Sequence, residues 1–124
     1  MIAYVQVDKS DVLRPKLMVN EWERNAPRAL GGAQWMQLGG LTWVPAGSGL
    51  SITASRSWLE RPRVGFVDAS TGTARSMTQD LDSYGGITVR ADGKALASVR
   101  TTVQAQLYRV PIDGSAADNA GRAQ

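Results

Sequence analysis

The sequence predicts an all-β fold of short antiparallel strands, and three observations carry that expectation. The second half of the chain repeats itself. Leu41–Ser55 (LTWVPAGSGLSITAS) returns as Ile87–Thr101 (ITVRADGKALASVRT), and the shift is 87 − 41 = 46 residues. Both copies follow a Gly-Gly pair, Gly39-Gly40 and Gly85-Gly86. The composition agrees: thirteen Gly, many Thr and Val, and few long helix-type runs favour short strands joined by tight turns. Repeats of about 40–50 residues made only of strands and turns are characteristic of propeller blades. The expected fold class is therefore all-β, a partial β-propeller of two to three four-stranded antiparallel blades.

A chain of 124 residues is ordinarily one domain. Three repeat units divide it: an incomplete blade over 1–40, a blade over 41–86, and a blade over 87–124 with a weak C-terminal strand. Within each blade the strands are lettered a to d from the inside outward. In the middle unit, strand a is Leu41–Pro45, b is Leu50–Ser55, c is Arg63–Asp68 and d is Thr73–Thr78. The turn Ala46-Gly47-Ser48-Gly49 joins a to b, and Ala69-Ser70-Thr71-Gly72 joins c to d. Gly and Asp stand at such turns because they adopt positive φ at low cost.

The third unit follows the same plan. Ile87–Ala91 is a, Ala95–Arg100 is b and Gln106–Ile112 is c. The Ala-rich tail from Ala116 is a frayed d strand or a disordered end. In the first unit Ile2–Asp8 reads as b, Lys16–Trp22 as c and Asn25–Leu30 as d, with strand a absent. Gly31–Leu38 is a long connection or an extra turn. Trp43, Val5, Ile52, Val64, Phe66, Val99, Leu107 and Val110 are the expected core.

The composition bounds function by exclusion. There is no Cys and no His. That removes Ser-His-Asp and Cys-His catalysis and most zinc and copper ligand sets. Ser48, at a hairpin tip, is not a nucleophile elbow, which joins a strand to a helix. No cofactor loop is present, so neither enzyme activity nor a cofactor is expected. Asp80 and Asp82 share a face and would suit a hard cation, but no EF-hand loop follows. Asp caps of backbone N–H groups explain them as well, and no metal is expected.

The net charge is +3, and of the fourteen cations all but Lys9, Lys16 and Lys94 are Arg. They are scattered, whereas a nucleic-acid footprint is a clustered face, so no nucleic-acid partner is expected. No apolar stretch approaches the ~20 residues of a membrane span. Met1–Val5 lacks the basic flank of a signal peptide. The expected location is cytoplasmic, unless the chain is part of a longer exported protein.

A resemblance enters at particular residues. Arg90-Ala91-Asp92-Gly93-Lys94, Val64-Gly65-Phe66-Val67-Asp68, Leu107-Tyr108-Arg109-Val110-Pro111 and Ala74-Arg75-Ser76-Met77-Thr78 resemble the TolB-type, tryptophan–aspartate-like β-propeller repeat. The similarity spans nearly all of Ile2–Ser115. The run Thr78–Gly86 (TQDLDSYGG) is similar to the propellers of bacterial eukaryotic-like serine/threonine kinases. That resemblance implies a sensor or interaction region of a signalling protein. Two departures stand out. The middle turn lacks the family's Asp, and the family closes its ring with six or more blades. The alternative is the accessory propeller of a prolyl-oligopeptidase-type hydrolase, whose catalytic domain is absent from this chain. A truncated fragment without function is a third reading.

The b–c and d–a connections share one end of a propeller and are here the longer and richer ones. The expected binding residues lie on them: Arg14, Trp58, Arg61, Asp80, Asp82 and Tyr84, with Trp35 nearby. Trp, Tyr and Arg are the types that anchor interfaces, so a protein or peptide partner is expected. An open run of blades leaves two apolar faces and an unpaired edge in water. A homo-oligomer closing the ring is expected for that reason, with the missing inner strand supplied by a partner's C-terminal segment.

Overall fold

The computed structural model describes residues 1–124 except Ala33, Ala46 and Gln124, and the backbone alone at Asp11, Val12, Leu13 and Asn119. Ala46, at the tip of the expected middle turn, thus lies outside the described residues. Among the described residues nine strands form three antiparallel sheets. The first holds β1 (Ile2–Asp8), β2 (Asp11–Glu21) and β3 (Ala26–Leu30). The second holds β4 (Gln37–Trp43), β5 (Gly49–Ser55), β6 (Arg63–Asp68) and β7 (Ala74–Ser76). The third holds β8 (Ser83–Val89) and β9 (Leu96–Thr101). A short helix, α1 (Ala116–Gly121), follows. Only the middle sheet has the four strands expected of a blade.

The 46-residue repeat holds at the level of single hydrogen bonds. In the middle turn, Val44 N–H donates to Gly49 O (2.9 Å) and Gly47 N–H to Val44 O (3.1 Å). In the third sheet, Arg90 N–H donates to Ala95 O (2.9 Å) and Gly93 N–H to Arg90 O (2.8 Å). Gly47 and Gly93 have φ of 68° and 71°, a region that glycine enters without a Cβ penalty. The register repeats too, with Leu41 opposite Ile52 and Ile87 opposite Ser98.

Both Gly-Gly pairs sit at bulges, between Leu38 and Leu41 and between Gly85 and Ile87. These bulges lie against one another. A Cβ on Gly40 would stand 2.8 Å from Ile87 Cγ2 and 2.9 Å from Ile87 N. The inner strands of two sheets therefore meet backbone to backbone, and no side chain fits between them. Thr53 Oγ1 accepts the Gly40 N–H at 2.8 Å, pairing a donor that the bulge takes out of the ladder.

The sheets stack, with the middle one between the others. Leu50, Ile52 and Ala54 of β5 pack with Leu17, Val19 and Leu30 of the first sheet, and Trp35 and Val67 complete that core. The alternate residues of β5, Ser51, Thr53 and Ser55, are also buried, on the face where β8 lies against β4 and β5. Full burial of a Leu or Ile side chain is worth ~1.5–3 kcal/mol, so the β5 contacts anchor the fold. Pro15 stands within β2 at no cost to a ladder. Pairing with β3 begins only at Leu17, and pairing with β1 is irregular between Gln6 and Asp8.

The structure corrects several expectations. The end of β3 lies beside the β6–β7 turn. A Cβ on Gly72 would stand 2.8 Å from Gly31 N, and the Arg28 guanidinium donates to Ala69 O. β3 therefore runs in the direction of β6, and the pairing order β1-β2-β3 matches β1 with β4 rather than with β5. The first sheet thus has strands in the positions of β4, β5 and β6, and among the described residues none in that of β7. Gln106–Ile112 is not a strand and pairs with nothing in the sheets. Leu107, Val110 and Val99, expected in the core, are exposed, because among the described residues no further sheet covers β9 or the segment after it. The tail is neither strand nor coil. Ser115 Oγ accepts the Asp118 N–H (3.2 Å) and donates to the Asp118 carboxylate (2.6 Å), a reciprocal N-terminal cap.

Two expected outcomes follow from this packing. Gly40→Ala forces Ile87 N to move, and overpacking of this kind costs ~1–3 kcal/mol. Urea unfolding will show that loss, and wild-type stability in the variant would refute the backbone contact. The second concerns Asp68, whose carboxylate accepts from the Ser70 hydroxyl, the Thr71 N–H and the Ser70 N–H. These bonds, the Ser70 hydroxyl first, hold its pKa at about 2, below the ordinary 3.8. Because the folded value is the lower one, the stabilisation is complete above the ordinary value and fades as pH falls toward about 2. Wild type should melt above Asp68→Asn at pH 6, with the difference shrinking below pH ~4 and closing near pH ~2. A gap that does not change with pH would contradict this.

Candidate functional site

The connection from β5 to β6 (residues 56–62) and the one from β7 to β8 (residues 77–82) leave the same end of the middle sheet. They meet around an open cleft of about 360 Å³ lined by Leu59, Glu60, Arg61, Arg63, Asp80 and Leu81. Each loop is held by local bonds. Ser57 Oγ accepts the Leu59 N–H at 3.1 Å and Ser57 O accepts the Glu60 N–H at 3.3 Å, so Ser57 sets the first loop's turn. The second loop is tied to the first where Tyr84 N–H donates to Pro62 O at 2.9 Å.

These turns push apolar side chains outward. Trp58 is 53 % exposed, Leu59 96 % and Leu81 84 %. Three large apolar groups at one end of a sheet, beside charged Arg61 and Glu60, form a surface of the kind that partners cover. No ion pair among the described residues involves Arg56, Arg61 or Arg63. A second cleft of about 280 Å³ opens next to the first and shares Glu60 and Arg63 with it; Trp35, Ile52 and Ala54 form its apolar floor.

The acidic residues behave differently. Asp80 Oδ1 accepts the Asp82 N–H (3.0 Å), and its Oδ2 accepts the Tyr84 hydroxyl (2.7 Å). The Tyr84 hydrogen bond, with Arg100 and Arg63 nearby, lowers the Asp80 pKa; the same bond raises that of Tyr84. Asp82 is buried and accepts from the Arg100 guanidinium. Asp80, Asp82, Tyr84 and Arg100 thus form a closed network that shapes the loop. Among the described residues no group of three or more His, Cys, Asp or Glu could hold a metal ion.

Five of the six expected residues, Trp58, Arg61, Asp80, Asp82 and Tyr84, converge on this end. Arg14 does not. It lies in β2, three residues before Leu17, which pairs with Leu30. Leu30 ends at the β6–β7 turn, so Arg14 belongs to the opposite end of the stack. The connection between β1 and β2 is a two-residue turn, closed by Asp8 accepting the Ser10 N–H (2.9 Å), and it has no room for a binding loop. Trp35 is a second correction: it is 3 % exposed, with its indole N–H on Leu30 O at 3.5 Å. It packs into the core between the first and middle sheets.

Leu59 and Leu81 were missed by sequence reasoning, because an apolar residue in a loop carries no mark of whether the loop faces in or out. Comparisons with protein-family models, curated proteins and solved structures gave no match for this chain. No helix among the described residues is long and apolar enough to cross a membrane.

Arg100→Ala should lower the melting temperature by leaving the buried Asp82 carboxylate unpaired. In an Asp82→Asn background the same change should have a smaller effect. Equal effects in both backgrounds would show that the pair is not coupled.

Proposed function

We propose that this chain is a non-catalytic binding module built of propeller-type blades, and that its binding face is the cleft between residues 56–62 and 77–82. The observation that carries the reading is the exposed cluster of Trp58, Leu59 and Leu81 around the unpaired Arg61. An aromatic and two leucines offer apolar area, and a guanidinium without an internal partner offers directional bonds. Together they suit a protein or peptide segment bearing an apolar side chain and a carboxylate.

The blade reading is supported by the 46-residue repeat, by the matching turns and bulges, and by the face-to-face stacking of the sheets. A sensor or interaction part of a signalling protein fits both the resemblance and the lack of a nucleophile–base pair, His and Cys being absent. Self-association belongs to the same reading, since Val99 on β9 and Leu107 in the segment after it are exposed.

The test is selection of peptides on the immobilised chain, followed by affinity measurements on variants. Trp58→Ala and Arg61→Ala should each weaken binding by ~2 kcal/mol, about 30-fold. Ser48→Ala and Ser70→Ala, at the opposite end, should leave it unchanged. Equal losses from both sets would remove this end of the molecule as the binding face.

A further inference from the structure

We propose that two copies of this chain exchange the segment Gln106–Ile112, each laying it as a third strand along β9 of the other. The inference rests on the reading of the sheets as repeated blades, and it adds the partner and the means of association.

The middle sheet shows what the β9 edge is built to take. The pair Leu41 and Ile52 corresponds by the 46-residue shift to Ile87 and Ser98, so β9 stands where β5 stands. The far edge of β5 carries β6 from Ala54 opposite Arg63 to Gly49 opposite Asp68. The far edge of β9 carries nothing. A row of N–H and C=O groups is left open there, a template for a further strand.

The same chain holds a segment with a strand's residue pattern and no sheet. Gln106–Ile112 reads QLYRVPI and has no place in any sheet. No backbone hydrogen bond joins residues 102–112 to the rest of the described chain. Leu107 and Ile112 are each 99 % exposed, and Val99 on β9 is 65 % exposed. The open edge and the unpaired segment are complementary, and pairing them covers apolar groups on both.

The segment follows β9 after four residues, Thr102–Ala105, and within one copy it stays off the β9 edge. The same pairing made between two copies is a strand exchange. A two-fold exchange is self-complementary and closes on itself. The segment also makes a safe outer edge: Pro111 lacks an N–H and Arg109 is charged, and both discourage a further strand. Past Ile112, Arg122 bonds Asp113 (2.8 Å to the carbonyl, 3.0 Å to the carboxylate) and turns the tail away.

The experiment uses the full chain at tens of micromolar. Light scattering should give a dimer or a larger even-numbered assembly. The double variant Tyr108→Pro, Val110→Pro should be monomeric and should still unfold cooperatively, because both positions lie outside the three sheets and their core. The chain has no cysteine, so introduced pairs report directly. Val99→Cys and Leu107→Cys chains of different mass, mixed and oxidised, should form a mixed disulfide dimer. A monomeric wild type would overturn the proposal, as would an association the prolines leave intact. An internal disulfide in a single chain carrying both cysteines would do the same, since it places the segment on its own β9. Peptide binding at the Trp58 cleft, measured on the proline variant, is independent of all these outcomes and separates failure of the exchange from failure of the binding reading.

Discussion

Every residue of β5 is buried, and the rest of the molecule is arranged around that fact. A strand can be buried along its whole length only if sheets cover both of its faces. One face, Leu50, Ile52 and Ala54, is apolar and meets the first sheet. The other, Ser51, Thr53 and Ser55, is small and polar, and it tolerates burial because the third sheet comes close enough to exclude water. That approach is set by glycine. A side chain on Gly40 would meet Ile87 and hold β4 and β8 apart, and the bulge at Gly39-Gly40 frees the Gly40 N–H, which Thr53 Oγ1 accepts.

The same stacking creates the site. Because the sheets share a direction, the long connections of the middle sheet emerge together at one end and the tight turns at the other. The tight turns are closed by Asp carboxylates and positive-φ glycines and present little surface. The long connections have no ladder to satisfy. They are fixed instead by Ser57, by the Tyr84–Pro62 bond, and by the Asp80–Tyr84 and Asp82–Arg100 pairs. Rigid loops that expose Trp58, Leu59 and Leu81 lower the ordering cost of binding. Asp80 and Asp82 lie in the scaffold of the site, and Glu60, Arg61 and the apolar groups lie on its surface.

The asymmetry of the molecule lies in its two outer sheets. The first has three strands, and Trp35 packs into the core it shares with the middle sheet. The third has two, so the β9 edge is open among the described residues, and Val99 on β9 and Leu107 after it stay in water. Stability is thus unevenly spread: it is concentrated around β5 and falls toward the C-terminal end.

The sequence by itself determined the local structure. Alternating β-branched residues, Asp- and Gly-bearing turns and the 46-residue shift specify the strands, their hairpins and the equivalence of the Gly-Gly bulges, because strand period and turn chemistry act over a few residues. Arg63–Asp68 and Ile2–Asp8 are strands over the expected residues for that reason. Tertiary structure alone decided which strand of the first unit is innermost, since direction and order depend on what each sheet packs against. It also placed Trp35 inside and Leu59 and Leu81 outside, and it put Arg14 at the far end from the cleft. Gln106–Ile112 has a strand's pattern but no strand's pairing. A β-strand gains its hydrogen bonds only from a neighbour, and whether a neighbour comes within reach is a property of the whole fold.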